Sequence, residues 1–150
     1  MADLTLVITT PERIVYQDTV DSVSLPTIDG EITILPNHIP LVSVLKAGEL
    51  TIRRGTDTRP YAVGGGFIEI DGKKLTVLAD TAEHVEEIDE QKADEARQRA
   101  EQLKAEKRED SEEYAAVASK LERDLNRLKI VRKYRHRGHT GITQEGLRKE

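Results

Sequence analysis

Glycine and proline are distributed so unevenly along this chain that they divide it. All five prolines lie between Pro11 and Pro60, and the run from Lys73 to Arg137 contains neither residue. A segment studded with both must turn often, whereas one that lacks both carries no built-in helix breaker. The chain therefore reads as a β half and a helical half, joined between Thr81 and Asp89. Just before the join, Phe67, Ile68 and Ile70 lead into Asp71-Gly72, and Leu75, Val77 and Leu78 follow. Asp-Gly between alternating apolar runs predicts a hairpin with a type I′ turn, whose two central residues both need positive φ.

The first half reads as many short strands. Leu4, Leu6 and Ile8 alternate with Thr5, Val7 and Thr9, which predicts a strand with one strongly apolar face. Ile14 to Tyr16, Val23 to Leu25, Ile32 to Leu35, Leu41 to Leu45, Leu50 to Ile52 and Tyr61 to Val63 supply further strands. Pro36 to Pro40 is expected to be irregular, because two prolines remove donors and restrict their neighbours. Frequent turn signals with no long helix between them predict a β-sandwich or barrel rather than a parallel α/β sheet.

The second half divides in two. Asp89 is placed to cap a first helix, with Glu90 in its first turn. Ala93, Ala96, Ala100 and Leu103 form a narrow stripe of small residues along it. Asp110 with Glu113 resembles a capping box for a second helix, along which Tyr114, Ala118, Leu121, Leu125 and Leu128 recur at seam spacing. The break between the helices is short, so they are expected to fold back antiparallel. The expected fold is thus α+β: an N-terminal antiparallel β-sandwich over 1–86, a two-helix antiparallel hairpin over 87–136, and a flexible tail over 137–150.

Charge supports the same hairpin. Residues 83–95 carry seven acids (Glu83, Glu86, Glu87, Asp89, Glu90, Asp94, Glu95), and residues 123–137 carry seven bases (Arg123, Arg127, Lys129, Arg132, Lys133, Arg135, Arg137). Folding back sets the acidic start of one helix beside the basic end of the other. Exposed pairs contribute about 0–1 kcal/mol each, so closure should be weak and salt-sensitive. The net charge of −5 argues against general nucleic-acid binding. No cysteine is present, which excludes disulfides and thiolate metal sites. No apolar run approaches the roughly 20 residues that span a membrane, and no signal peptide is visible.

Little here points to catalysis. Gly64-Gly65-Gly66 is followed by Phe67-Ile68-Glu69, a strand, and so fits a close backbone approach or a bulge rather than a phosphate loop. His38 reads as a surface contact, and His136 and His139 as part of a solvated tail rather than a metal pair. No Ser-His-Asp set or paired carboxylates stand out. The basic end of the second helix reads as a solvated face neutralised by the first helix, as a cationic rod for an acidic partner, or as a nucleic-acid contact.

Three ordered segments carry a family resemblance. Gly30-Glu31-Ile32-Thr33-Ile34-Leu35-Pro36-Asn37-His38-Ile39-Pro40-Leu41-Val42, Gly65-Gly66-Phe67-Ile68-Glu69-Ile70 and Val77-Leu78-Ala79-Asp80-Thr81-Ala82-Glu83 resemble the epsilon subunit of F-type ATP synthases. Glu87-Ile88-Asp89 followed by Ala93 looks like the start of that family's first C-terminal helix, and the resemblance extends over about residues 3–132. It implies a non-catalytic central-stalk rotor subunit at the cytoplasmic face of the bacterial plasma membrane, with no nucleic acid and only indirect contact with the membrane. The implied partners are the gamma subunit, the c-ring and the alpha and beta subunits, with Glu31 and His38 on the surface facing the ring. The hairpin would be a regulatory arm: folded, it permits ATP hydrolysis; extended, it blocks rotation through the basic helix that carries Arg123, Arg127, Lys129, Arg132 and Lys133.

No cofactor is implied as required, but some family members bind ATP on the folded arm through an Ile-Asp-x-x-Arg-Ala motif. Ile88, Asp89 and Ala93 match it, Lys92 replaces its arginine, and Glu83, Arg99, Arg123 and Arg127 occupy matching positions. Lysine keeps the charge but loses the planar fork. Two other readings of the whole chain are a β-sandwich adaptor or chaperone that grips partners with a basic hairpin, and a nucleotide-binding enzyme.

Overall fold

The computed structural model describes the backbone of residues 3–148 and the side chains of residues 3–135. The side chains of His136, His139 and the rest of the tail lie outside those described, while the backbone of 137–148, expected to be a flexible tail, is helical. The chain divides into two compact units, Met1–His84 and Val85–Glu150.

The first unit is a β-sandwich of ten strands: β1 Leu4–Thr9, β2 Ile14–Val20, β3 Ser22–Thr27, β4 Gly30–Ile34, β5 His38–Leu45, β6 Gly48–Arg54, β7 Asp57–Val63, β8 Gly66–Gly72, β9 Lys74–Ala79 and β10 Ala82–His84. Neighbours run β10-β7-β6-β3-β5-β8-β9-β1-β2, with β4 on the side of β3. The two halves of this path meet at one paired position, Thr27 opposite Leu45. Every pairing is antiparallel except β1 with β9, which is parallel.

Alternation places the core. Leu4, Leu6 and Ile8 of β1, Ile68 and Ile70 of β8, and Leu75 and Val77 of β9 are buried together with Leu25, Leu50 and Ile52. Ser24 is buried as well, and its hydroxyl is satisfied: Thr33 Oγ1 lies 2.8 Å away and Arg53 Nη1 donates to it at 2.8 Å.

The glycine triplet behaves as a close approach. Gly66 has φ +142°, and a Cβ there would stand 1.9 Å from the Leu78 carbonyl oxygen. Any side chain would push β8 off β9, so only glycine fits.

Two expected details differ in this unit. Asp71 pairs with Lys74, so the β8–β9 turn is centred on Gly72-Lys73 rather than Asp71-Gly72. Gly72 has φ +57°, and Lys73 is not among the positive-φ residues, so positive φ at the first central position alone suffices. The proline-bounded segment is also not irregular throughout. β5 begins at His38 and contains Ile39 and Pro40, with a register shift between His38 and Leu41 opposite Gly72 and Ile70. One extra residue in a bulge accommodates the missing proline donor.

The second unit opens with a 3₁₀ turn, Val85–Glu87, followed by α1 Glu90–Glu106 and α2 Glu112–Arg148. Asp89 caps α1 as expected: its Oδ1 accepts from Lys92 N at 3.1 Å. The cap of α2 is Ser111 and not the expected Asp110. Ser111 Oγ accepts from Tyr114 N at 3.1 Å, and Glu113 takes the Lys107 ammonium at 2.8 Å instead of reaching back. The stripe on α1 is buried at Ala93 and Ala100, half-buried at Ala96 and exposed at Leu103. On α2 the seam is rotated from the expected one. Leu121, Asp124, Leu128, Ile130 and Val131 are buried, whereas Leu125 is 45% exposed.

Candidate functional site

Two features of the molecule are built for contact. The first is on the sandwich. Val44 lies opposite Phe67, Phe67 opposite Leu78, Leu78 opposite Thr9, and Thr9 opposite Ile14. This row crosses five strands on the face away from the core, and Val44, Phe67, Leu78 and Ile14 are all exposed. Val42, at 71% exposure, extends it along β5. Lone exposed apolar residues are ordinary; a row of them across neighbouring strands, broken only by Thr9, is a candidate interaction surface.

The second is the base of the helical hairpin. Glu90 occupies the first turn of α1, where the helix dipole favours an acid. Its carboxylate is clasped by Arg132 Nε at 3.1 Å and Arg135 Nη1 at 2.8 Å. Arg135 Nη2 also donates to the Ile88 carbonyl at 3.3 Å, and Arg132 Nη2 lies 3.8 Å from Asp94. The expected match of acidic start to basic end is therefore present, and it centres on Glu90. The sequence placed Glu90 among the seven acids and Arg135 among the seven bases expected to face each other, but did not show which pair would meet.

Two other acids of the helical unit, Asp94 and Glu113, are shifted by basic neighbours. The hydrogen bond from Arg97 is the main cause holding the Asp94 carboxyl below its ordinary 3.8, helped by the charges of Arg97 and Arg132. The hydrogen bond from Lys107 does the same for Glu113, below its ordinary 4.5.

The residues of the implied ATP motif fall on both units. Glu83 is in β10, paired with Ala62. Ile88 and Ala93 are buried, Asp89 is committed to the helix cap, and Lys92 and Arg99 are exposed. On α2, Arg123 and Arg127 are half-buried, with Arg127 Nη1 3.4 Å from Asp124 Oδ1. Of the remaining basic residues, Lys129 is exposed, and Lys133 places its ammonium over the Tyr134 ring at 5.3 Å. Glu31 is exposed on β4; His38 opens β5, and its Nδ1 donates to the Ile39 carbonyl at 2.7 Å. Among the described residues no cluster of three metal-binding side chains occurs, and no helix is long and apolar enough to cross a membrane.

The chain thus joins a ten-stranded sandwich, glycine-tight where β8 meets β9, to an alanine-striped helical hairpin. Comparison with known proteins assigns it to a family. The family model described as "ATP synthase, Delta/Epsilon chain, beta-sandwich domain" matches residues 3–85, and the chain belongs to that family. It is 42% identical over 132 residues to the ATP synthase epsilon chain of Herpetosiphon aurantiacus, covering 88% of this chain and 96% of that one. It is 44% identical over 135 residues to the ATP synthase epsilon chain of Dehalococcoides mccartyi, covering 90% and 96%. In fold it resembles a chain in a cryo-EM structure of Euglena gracilis mitochondrial ATP synthase, with a TM-score of 0.68, 24% identity and coverage of 81% and 77%.

The depressed acids set a pH dependence. An acid whose folded-state value lies below its unfolded one stabilises the fold while ionised, and that contribution is lost as pH falls through the folded value. The helical unit is therefore expected to hold its thermal midpoint above about pH 5 and to show a modest fall in it below about pH 4, small because both acids remain open to water. Far-ultraviolet circular dichroism of the full chain during acid titration measures this. Midpoints that rise as the pH falls below 4 would contradict it.

Proposed function

We propose that this chain is a non-catalytic central-stalk subunit of a proton-translocating ATP synthase, peripheral at the cytoplasmic face of a bacterial plasma membrane, and that its helical hairpin restrains ATP hydrolysis when it opens. The family membership and the near-complete coverage of epsilon-chain relatives support the first part. In this reading the apolar row from Val44 to Ile14 docks on the gamma subunit, and Glu31 and His38 face the c-ring.

The observation that carries the regulatory part is how the hairpin is held. Its base is closed by ion pairs whose members remain one-third to more than half exposed: Glu90 at 33%, Arg132 at 58% and Arg135 at 55%. Such pairs contribute about 0–1 kcal/mol each and are screened by salt. The ion pairs thus add little to closure, and a partner that covers the apolar seam of α2 can open the hairpin and take up Arg123, Arg127, Lys129, Arg132 and Lys133 on the acidic surfaces of the alpha and beta subunits. The adaptor reading uses the same basic hairpin without a rotor, and is separated by whether the gamma subunit is bound.

The test is ATP hydrolysis by the matching alpha-beta-gamma complex, with the full chain or with a chain ending at Glu87. The full chain is expected to lower turnover several-fold while the truncated chain binds and does not inhibit. Equal inhibition by both would remove the hairpin from the mechanism, and failure of both to bind would remove the rotor reading.

A regulatory ATP site on the closed hairpin is the second reading. Ile88, Asp89, Lys92 and Ala93 gather at the entry to α1, whose first turn already meets arginines of α2. Lys92 supplies a point charge where a planar fork would grip phosphate in two places. Calorimetry with millimolar ATP is expected to show weak binding that tightens in Lys92→Arg; no heat from either chain would exclude the site.

A further inference from the structure

Asp124 stands out in the hairpin seam. It is only 5% exposed, on the same side of α2 as Leu121 and Leu128, while its neighbour Leu125 is left nearly half exposed. Its Oδ2 is buried and has no hydrogen-bond partner. Its Oδ1 has Arg127 Nη1 at 3.4 Å, longer than the roughly 2.7–2.9 Å of a strong charge-assisted bond. On α1 the buried side chains are Ala93 and Ala100, which offer no donor. The Arg97 guanidinium on that helix is already held by Asp94 at 2.8 Å and Glu101 at 2.9 Å.

A half-satisfied carboxylate in an otherwise apolar seam disfavours the state that buries it. We propose that Asp124 is a built-in opener of the helical hairpin: its buried, unpartnered oxygen raises the population of the open form, in which the carboxylate regains water. The geometry of α2 gives the opened helix an alternative apolar face. Tyr114, Ala118, Leu121, Leu125 and Leu128 form a continuous uncharged stripe, and Leu121 and Leu128 belong to both faces. Closed, the helix buries a charge and exposes a leucine; open, it can reverse both. Opening as a regulatory event rests on the proposed function above. The buried charge does not, and a measurement on the isolated full chain separates the two.

Amide hydrogen exchange of the full chain reads the opening directly. Asp124→Leu is expected to slow exchange about tenfold at Ala93–Ala100 and Leu121–Leu128, the order set by removing one unsatisfied buried group. Asp124→Asn, which keeps the shape and removes the charge, is expected to slow the same amides less, and covers the case in which leucine overpacks the seam. Amides of Ile68, Ile70 and Leu75 in the sandwich should not change. Slowing in either variant, confined to the hairpin, supports the opener; wild-type or faster exchange in both overturns it.

Discussion

Between α1 and α2 the side chains that meet are small on one helix and branched on the other. Ala93 and Ala100 are wholly buried on α1, and on α2 Val131 is wholly buried, Leu128 nearly so and Leu121 mostly. Alanine permits close approach but brings little apolar area with it, so a two-helix contact of this kind is held by few groups. The remaining closure comes from Glu90 between Arg132 and Arg135, a contact water and salt can reach. Asp124 then sits in the seam as a cost. The unit therefore rests on a handful of buried aliphatic side chains, among them Ile88, Leu128, Ile130 and Val131, with screened ion pairs at its base and one buried acid that opposes closure.

The sandwich is built on the opposite plan. Its core draws fully buried leucine, isoleucine and valine from nearly every strand, and its buried polar group at Ser24 is satisfied twice. The clash that any side chain at Gly66 would make with the Leu78 carbonyl shows how tightly β8 and β9 are joined. Pairing a firm unit with a loosely closed one suits a subunit that must stay attached by one part while the other changes state, and that is the division of labour proposed for this chain.

Much of this was legible from residue order. Alternation in Leu4-Leu6-Ile8 gave β1 its buried face, Asp89 announced the α1 cap, and opposite charges at the two ends announced the closed hairpin. What was not legible depended on a single residue of phase. The seam of α2 could be drawn through Asp124 or through Leu125, and hydrophobicity alone favours leucine. Burial at Leu121, Leu128 and Val131 rotates the helix so that the acid faces inward. Likewise, Asp71-Gly72 named the correct hairpin but placed its turn one residue early, because Gly72 alone supplies the positive φ. The strand through Pro40 was hidden because a bulge removes the hydrogen-bond demand that makes proline a poor strand residue. The motif residues around Ile88 and Asp89 could be located in sequence, but Glu90, Arg135 and Asp124 emerge only once α2 is laid against α1.

Whether the hairpin opens can be read from the distance between its helices. Because the chain has no cysteine, two can be placed without interference. Spin labels at Glu95→Cys on α1 and Lys129→Cys on α2, both exposed sites, report the distance between the helices in the full chain. A weakly held hairpin gives a short distance at low salt and a second, longer population that grows as salt is raised toward about 1 M, where charges are screened within about 3 Å. A single short distance, unchanged across that range, would contradict weak closure.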